Sequence, residues 1–186
     1  MDFTNLSRIN VVGTSGTGKS TFAKKLSKTL NTNYIEMDAI FWKSNWTESS
    51  DQEFGKKLEV ALAPKSWVLD GNYNRMVPVK WKYTQTVIWI DYSFKRVLFQ
   101  AFKRAIYRSL TKKELWPGTN NRESFRQSFL SKQSILLWTL KTYKTNKIRY
   151  EKMMSDPQFA HIQFIRLKNP KEVNLFLAKV AANKNL

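Results

Sequence analysis

The chain has 186 residues, 42% of them hydrophobic, enough to bury one core and leave room for one mobile insert. It contains no cysteine and a single histidine, His161, which rules out disulfides and thiolate metal sites and argues against zinc chemistry or a histidine-based triad. A formal net charge of +18 calls for an anionic substrate or an anionic polymer as partner.

No apolar run approaches the roughly eighteen residues of a membrane span. The start "MDFTNLSRINVV" lacks the charged-then-apolar layout of a secretory signal. The expectation is one domain over residues 1–186, soluble and cytoplasmic, with no membrane partner.

In chain order, "INVVG" (9–13) predicts the first strand, and Lys19–Leu30 predicts a helix whose Phe22, Leu26 and Leu30 share one face. "NYIEM" (33–37) is the second strand. A helix over Asp51–Leu62 follows, with Phe54, Leu58 and Leu62 on one stripe and Pro64 beyond its end. "SWVLD" (66–70) and "TVIWID" (86–91) are the third and fourth strands. A helix over Phe94–Leu110 carries Lys103, Arg104 and Arg108. After the break "WPGTNN" (116–121), a long and mostly helical stretch runs from near Arg122 to Met154. "IQFIRL" (162–167) is the fifth strand, and Pro170 opens a last helix to Ala182. Strands alternating with helices imply an α/β fold with a parallel sheet covered on both faces. The charge is regional: between Phe94 and Ser155 fifteen Lys or Arg stand against Glu114, Glu123 and Glu151. The positive charge is therefore a property of the segment around the break, either as solvated helix faces or as a phosphate-facing surface.

Gly13-Thr14-Ser15-Gly16-Thr17-Gly18-Lys19-Ser20-Thr21 satisfies the Walker A pattern, between a strand and a helix as that pattern requires. Its glycines let successive N–H groups turn inward on a triphosphate. Lys19 is placed to bridge the β- and γ-phosphates, Ser20 to offer a hydroxyl to Mg²⁺, and the helix N-terminus to add partial positive charge. ATP and Mg²⁺ are the expected cofactors. A guanine-specificity string is missing, since "NKIR" (146–149) fails at its fourth residue and lies in helical context, so a GTPase is disfavoured.

In open α/β sheets the ligand lies beyond the carboxyl ends of the strands. Here these are acidic: Asp38 follows the second strand, Asp70 closes the third and Asp91 the fourth. Asp91 also suits a helix N-cap, since "YSF" opens the next helix. Magnesium needs hard oxygen ligands, often through water, and proton abstraction from a hydroxyl needs a carboxylate beside it.

"WVLDGNYNR" resembles the Asp-Gly-Phe-Pro-Arg segment of nucleoside monophosphate kinases. With "MDAIFWKSNW", "VIWIDYSFKRVL" and "WPGTNNRESF", the chain resembles, over nearly its whole length, the adenylate-kinase-like group of DNA topology modulation proteins. The resemblance implies the kinase version of the P-loop sheet, strand order 2-3-1-4-5, with a basic helical lid at about 95–150. It implies that Asp70 organises Mg²⁺ through water, that Arg75 reaches the transferring or acceptor phosphate, and that Asp38 accepts the attacking group's proton. Asn74 stands where those kinases have proline, and Gln100 where they usually carry a further lid arginine.

Trp42 and Trp46 follow Asp38 and suit either stacking on a nucleobase or packing of the acceptor-side helices; with Tyr73 they are the expected acceptor contacts. Arg104 and Arg108 are four apart on one helical face, as are Arg122 and Arg126, so two pairs can close on a transferring phosphoryl group from opposite sides. The expected function is transfer of the ATP γ-phosphoryl group to a small acceptor, a nucleotide, nucleoside or other hydroxyl compound. The alternatives are a nucleic-acid-binding P-loop ATPase and a kinase of nucleic-acid 5′ ends. Weak, nonspecific nucleic-acid binding is expected from the charge alone.

Overall fold

The computed structural model describes residues 6–111, 114–122 and 135–183. Five strands, β1 (Arg8–Gly13), β2 (Asn33–Glu36), β3 (Trp67–Asp70), β4 (Thr86–Ile90) and β5 (Gln163–Leu167), form one sheet in the order β2-β3-β1-β4-β5. Every pairing is parallel. Register sets Val11 beside Asp70 and beside Ile88, and Gly13 beside Ile90. The carboxyl ends of β1, β3 and β4 therefore form one rim.

Seven helices are described: α1 (Lys19–Leu30), α2 (Met37–Phe41), α3 (Asp51–Ala61), α4 (Val77–Lys80), α5 (Phe94–Thr111), α6 (Ile135–Met154) and α7 (Pro170–Asn183). The period of two along the strands divides the core. Ile9 and Val11 of β1, Val68 of β3 and Ile88 and Ile90 of β4 pack with Phe22 and Leu26 of α1 and Phe176 of α7. On the opposite face Val12, Val87 and Trp89 pack with Trp81, Tyr150 and Phe159, while Trp67 and Leu69 pack with Phe41, Phe54 and Leu58. Each fully buried side chain of this size, such as Leu26 or Phe54, stabilises the fold by about 1.5–3 kcal/mol.

α3 starts on a side-chain cap: the Ser50 hydroxyl accepts from Glu53 N at 3.2 Å. Two short helices, α2 and α4, have no counterpart in the sequence pattern, because four or five residues hold too little of a 3.6-residue period to show it. β2 ends at Glu36, so Asp38 lies in the first turn of α2 rather than on the strand. Of the long helix expected from Arg122 onward, Ile135–Met154 is helical, and 123–134, with Arg126, fall outside the described residues. Among the described residues no helix is long and apolar enough to cross a membrane.

Candidate functional site

The loop between β1 and α1 makes the turn its glycines predict. Gly16 has φ 90° and Gly18 φ 82°, left-handed values that a side chain would resist. Gly16 is also a contact: a Cβ there would lie 2.9 Å from Val97 O and 3.0 Å from Ala101 Cβ, so the loop rests directly on α5. At Gly18, by contrast, a Cβ would meet nothing within 4 Å, and this face of the loop is open. Thr17 N donates to Thr14 O at 3.1 Å and closes the turn. Gly18 precedes α1 without any side-chain cap, and the first turn, Lys19-Ser20-Thr21, carries no acidic residue. The helix N-terminus thus presents uncapped N–H groups beside a lysine, a setting that favours an anion. Lys19 and Ser20 are half-buried, and Thr14 and Thr17 are buried.

Beside the loop, Asp70 is buried at the end of β3. Its Oδ2 accepts from the Tyr34 hydroxyl at 3.0 Å, and Tyr34 also donates to Glu36 Oε2 at 3.3 Å. Burial, then the charges of Asp70 and Glu36, push the Tyr34 phenol far above its ordinary range, so it stays a donor. Asp70 Oδ1 and Thr17 Oγ1 are buried with no hydrogen-bond partner among the described residues. Orphaned oxygens of this kind at a phosphate loop suit the water shell of a bound cation. No cluster of three or more His, Cys, Asp or Glu occurs among the described residues. The donor set therefore fits Mg²⁺, which keeps its waters and takes few protein ligands, better than an ion needing an all-protein cage.

α5 joins the site through Arg104, whose Nη2 donates to Ser15 Oγ at 2.9 Å. Arg108 is half-buried one turn further along α5. Arg122 is exposed and forms an antiparallel bridge with Glu114 at the base of the "WPGTNN" turn. Asp91, the third rim aspartate, is engaged elsewhere: Arg166 donates to its Oδ2 through Nε at 2.8 Å and Nη2 at 2.5 Å, and the same Nη2 reaches Glu151.

The acceptor-side candidates form a second cluster. Tyr73 donates to Asp38 Oδ1 at 2.7 Å. Burial, then the Asp38 carboxylate, keep the Tyr73 phenol protonated well beyond its usual range. Tyr73, Phe41 and Phe54 contact one another with ring centroids 4.9–5.2 Å apart, anchoring the Asp38 partner in the core. Arg75 lies over the Phe41 ring at 4.8 Å and pairs with Asp51 at 2.8 Å on the surface. Trp42 and Trp46 meet edge to face at 5.4 Å, and Trp46 meets Trp116 in the same way at 6.0 Å.

Trp116 belongs to the "WPGTNN" segment, which docks on this cluster. Asn121, wholly buried, accepts from Trp46 N at 2.6 Å and donates to Lys43 O at 2.9 Å. Asn45 N donates to Thr119 O at 2.9 Å, and Asn120 Nδ2 to Asn45 Oδ1 at 3.1 Å. Sequence reading takes this stretch as a helix break and as one of the motifs of the resemblance, and assigns it no contact with Trp46 or Lys43. Its doubled asparagine is the signal that finds it, since a buried asparagine amide must be paired with main chain somewhere.

The residues Asp70-Gly71-Asn72-Tyr73 connect the two clusters, one end at the phosphate loop and the other on Asp38. Sequence reading overlooks Asn72, although it makes the tightest bond to the loop: Gly13 N donates to its Oδ1 at 3.0 Å while its Nδ2 donates back to Gly13 O at 2.8 Å.

Comparison with known proteins bears on this arrangement. The family model "ATPase family associated with various cellular activities (AAA)" matches residues 9–91, from β1 through the end of β4. No curated protein sequence matches the chain. Two solved structures resemble it over almost its whole length. One is a gluconokinase from Sinorhizobium meliloti 1021, with 15% identity, 97% of each chain covered and a TM-score of 0.50. The other is a shikimate kinase from Acinetobacter baumannii in complex with shikimate, with 16% identity, 96% of this chain and 92% of that one covered, and a TM-score of 0.57. At such identities the likeness is one of fold, and the parallel sheet of order 2-3-1-4-5 with a phosphate loop after its central strand is the P-loop NTPase fold.

Proposed function

We propose that the protein is an ATP-dependent phosphotransferase that moves the γ-phosphoryl group to a small acceptor, a nucleotide, nucleoside or other hydroxyl compound. The observation that carries this reading is the join between the two clusters: one short segment, residues 70–73, borders the phosphate loop at Asp70 and holds Asp38 through Tyr73. A carboxylate oriented by a half-buried phenol supports a role for Asp38 in taking a proton from an acceptor hydroxyl.

In this reading the loop from Gly13 to Thr21 binds the triphosphate through its N–H groups, and Lys19 neutralises the β- and γ-phosphates. Ser20 and, through water, Asp70 would hold Mg²⁺, which when bound would supply charge neutralisation to the triphosphate. Arg104, already on the loop at Ser15, stabilises charge on the phosphoryl group during transfer, and Arg108 extends the same cationic face. Arg122 and Arg126, four apart in the sequence after the "WPGTNN" turn, are assigned the same role on their spacing alone. Trp42, Trp46 and Tyr73 bound the acceptor, and Arg75 contacts an acceptor phosphate once it parts from Asp51, an exposed pair that costs about 0–1 kcal/mol to break. Residues 95–150 act as the lid of a single domain, excluding water so that the acceptor outcompetes hydrolysis. The closer resemblance, to the DNA topology modulation group, rests on the sequence motifs. The similarity of fold to a gluconokinase and a shikimate kinase supports a small hydroxyl-bearing acceptor.

The net charge of +18 supports one other reading, a nucleic-acid-binding ATPase or a kinase of nucleic-acid 5′ ends. A screen of nucleosides, nucleotides and sugars for acceptor-dependent ADP release, with oligonucleotides as a parallel arm, separates the readings. Stimulation by a small acceptor is expected. ADP release stimulated by nucleic acid and by no small molecule would reverse the choice.

A further inference from the structure

Behind the phosphate loop lies a buried polar network. Asn10, wholly buried in β1, donates through Nδ2 to Leu69 O at 3.1 Å and Gly71 O at 3.3 Å, and its Oδ1 accepts from Trp81 Nε1 at 2.9 Å. Lys80, also buried, donates to the carbonyls of Gly71 and Asn72. The main chain at Gly71–Asn72 is thus held from two sides, which fixes where the Asn72 amide points. That amide exchanges two hydrogen bonds with the main chain of Gly13, the first residue of the phosphate loop.

The network has one more member, from far along the chain. Tyr150, near the end of α6 and buried to 1% exposure, donates its hydroxyl to Asn72 Oδ1 at 3.1 Å. Its ring is held separately, against Trp89 at 5.5 Å, so the hydroxyl is not needed to seat the side chain. α5 reaches the same loop from the other side, through Arg104 on Ser15 and the close approach of Ala101 to Gly16. α5 and α6 also pack against each other. α5 therefore touches the phosphate loop directly, and α6 reaches it through Asn72.

We propose that Asn72 is the positioning residue of the phosphate loop and that Tyr150, acting through it, couples α6 to nucleotide binding. The proposal rests on the nucleotide-binding reading given above. A single side-chain amide pairs both the N–H and the C=O of Gly13, offering one donor and one acceptor from the same planar group. The Gly13 N–H, which can only donate, sets the oxygen end of that amide, and the Tyr150 phenol gives the same oxygen a second donor. A displacement of α6 reaches Gly13 through two hydrogen bonds, in addition to the core packing of Tyr150 with Val12 and Trp89.

The test compares wild type with Tyr150→Phe and Asn72→Leu, using calorimetric MgATP binding, the thermal midpoint without nucleotide, and hydrogen exchange of the Gly13 amide. Tyr150→Phe keeps the ring packing and is expected to weaken MgATP binding about 5- to 10-fold, the effect of one lost neutral hydrogen bond. It should also speed Gly13 amide exchange, with the midpoint moving by no more than about 4–8 °C. Asn72→Leu should weaken binding further. Should it fold poorly, Tyr150→Phe alone decides. A merely structural role lowers the midpoint and leaves the affinity of the folded protein unchanged, and that result overturns the proposal. Wild type that binds no MgATP overturns the nucleotide reading itself, whereas wild type that binds it as tightly as Tyr150→Phe does overturns only the coupling.

Discussion

The Tyr73 hydroxyl donates to Asp38 Oδ1 at 2.7 Å, across a sequence separation of 35 residues, and thereby fixes the orientation of that carboxylate. If Asp38 is the base, Asp38→Asn lowers acceptor phosphorylation by about 10² to 10⁴ and leaves MgATP affinity unchanged. Tyr73→Phe leaves the carboxylate in place but unoriented, and lowers the turnover rate by less. Calorimetry alongside initial rates checks both. An equal loss of MgATP binding in Asp38→Asn would move Asp38 to the magnesium shell.

Lys19 stands at the start of α1, half-buried and outside all three core clusters. Lys19→Ala is therefore expected to keep the fold and thermal midpoint while abolishing turnover and weakening ATP binding. Circular dichroism and ADP release on the same preparation read the two effects separately. Near-normal turnover in the variant would mean that the loop does not bind the triphosphate as described.

Arg104 separates the phosphotransferase from the nucleic-acid reading, because it already touches the loop through Ser15. Arg104→Met should lower the turnover rate by a larger factor than it lowers DNA or RNA binding. For wild type, log affinity for nucleic acid should fall steeply with log salt, and binding should nearly vanish near physiological ionic strength. If Arg104→Met instead reduces the salt slope by about one unit with turnover intact, this arginine contacts a phosphate backbone.

Burial depresses the Lys80 ammonium from its ordinary value to about 7, with the carbonyls of Gly71 and Asn72 as its acceptors. The sign follows from proton counts. Between pH 7 and the unfolded lysine value near 10.5 the unfolded chain binds the extra proton, so stability rises with pH across that window. Below pH 7 both states carry the charge and the full cost of burying it remains. The slope due to this group is at most about 1.4 kcal/mol per pH unit. Urea unfolding from pH 6.5 to 9.5 measures it as the difference between wild type and Lys80→Met. Parallel stability curves for the two proteins would show that Lys80 is not the group responsible.

The sequence by itself determined whatever depends on near neighbours. The five strands follow from apolar runs, α1, α3 and α5 from a 3.6-residue period, and the loop turn from glycines at 13, 16 and 18. The pattern around the loop was legible because its chemistry is local: main-chain N–H groups, a lysine and a helix N-terminus within nine residues. Arg104 was legible as a cation and not as a partner of Ser15. The acidic rim was legible in part. Asp70 lies beside the loop, but Asp91 is spent on Arg166, 75 residues away, and Asp38 belongs to a helical turn too short to show a period. Asn72, Lys80, Tyr150 and Asn121 gave little signal, because a polar residue that will be buried looks like any polar residue until its partner is known. Those partners lie 8 to 78 residues away, and only the packing of α4, α6 and the "WPGTNN" turn against the rim brings them within hydrogen-bond reach, where desolvation makes each pairing obligatory.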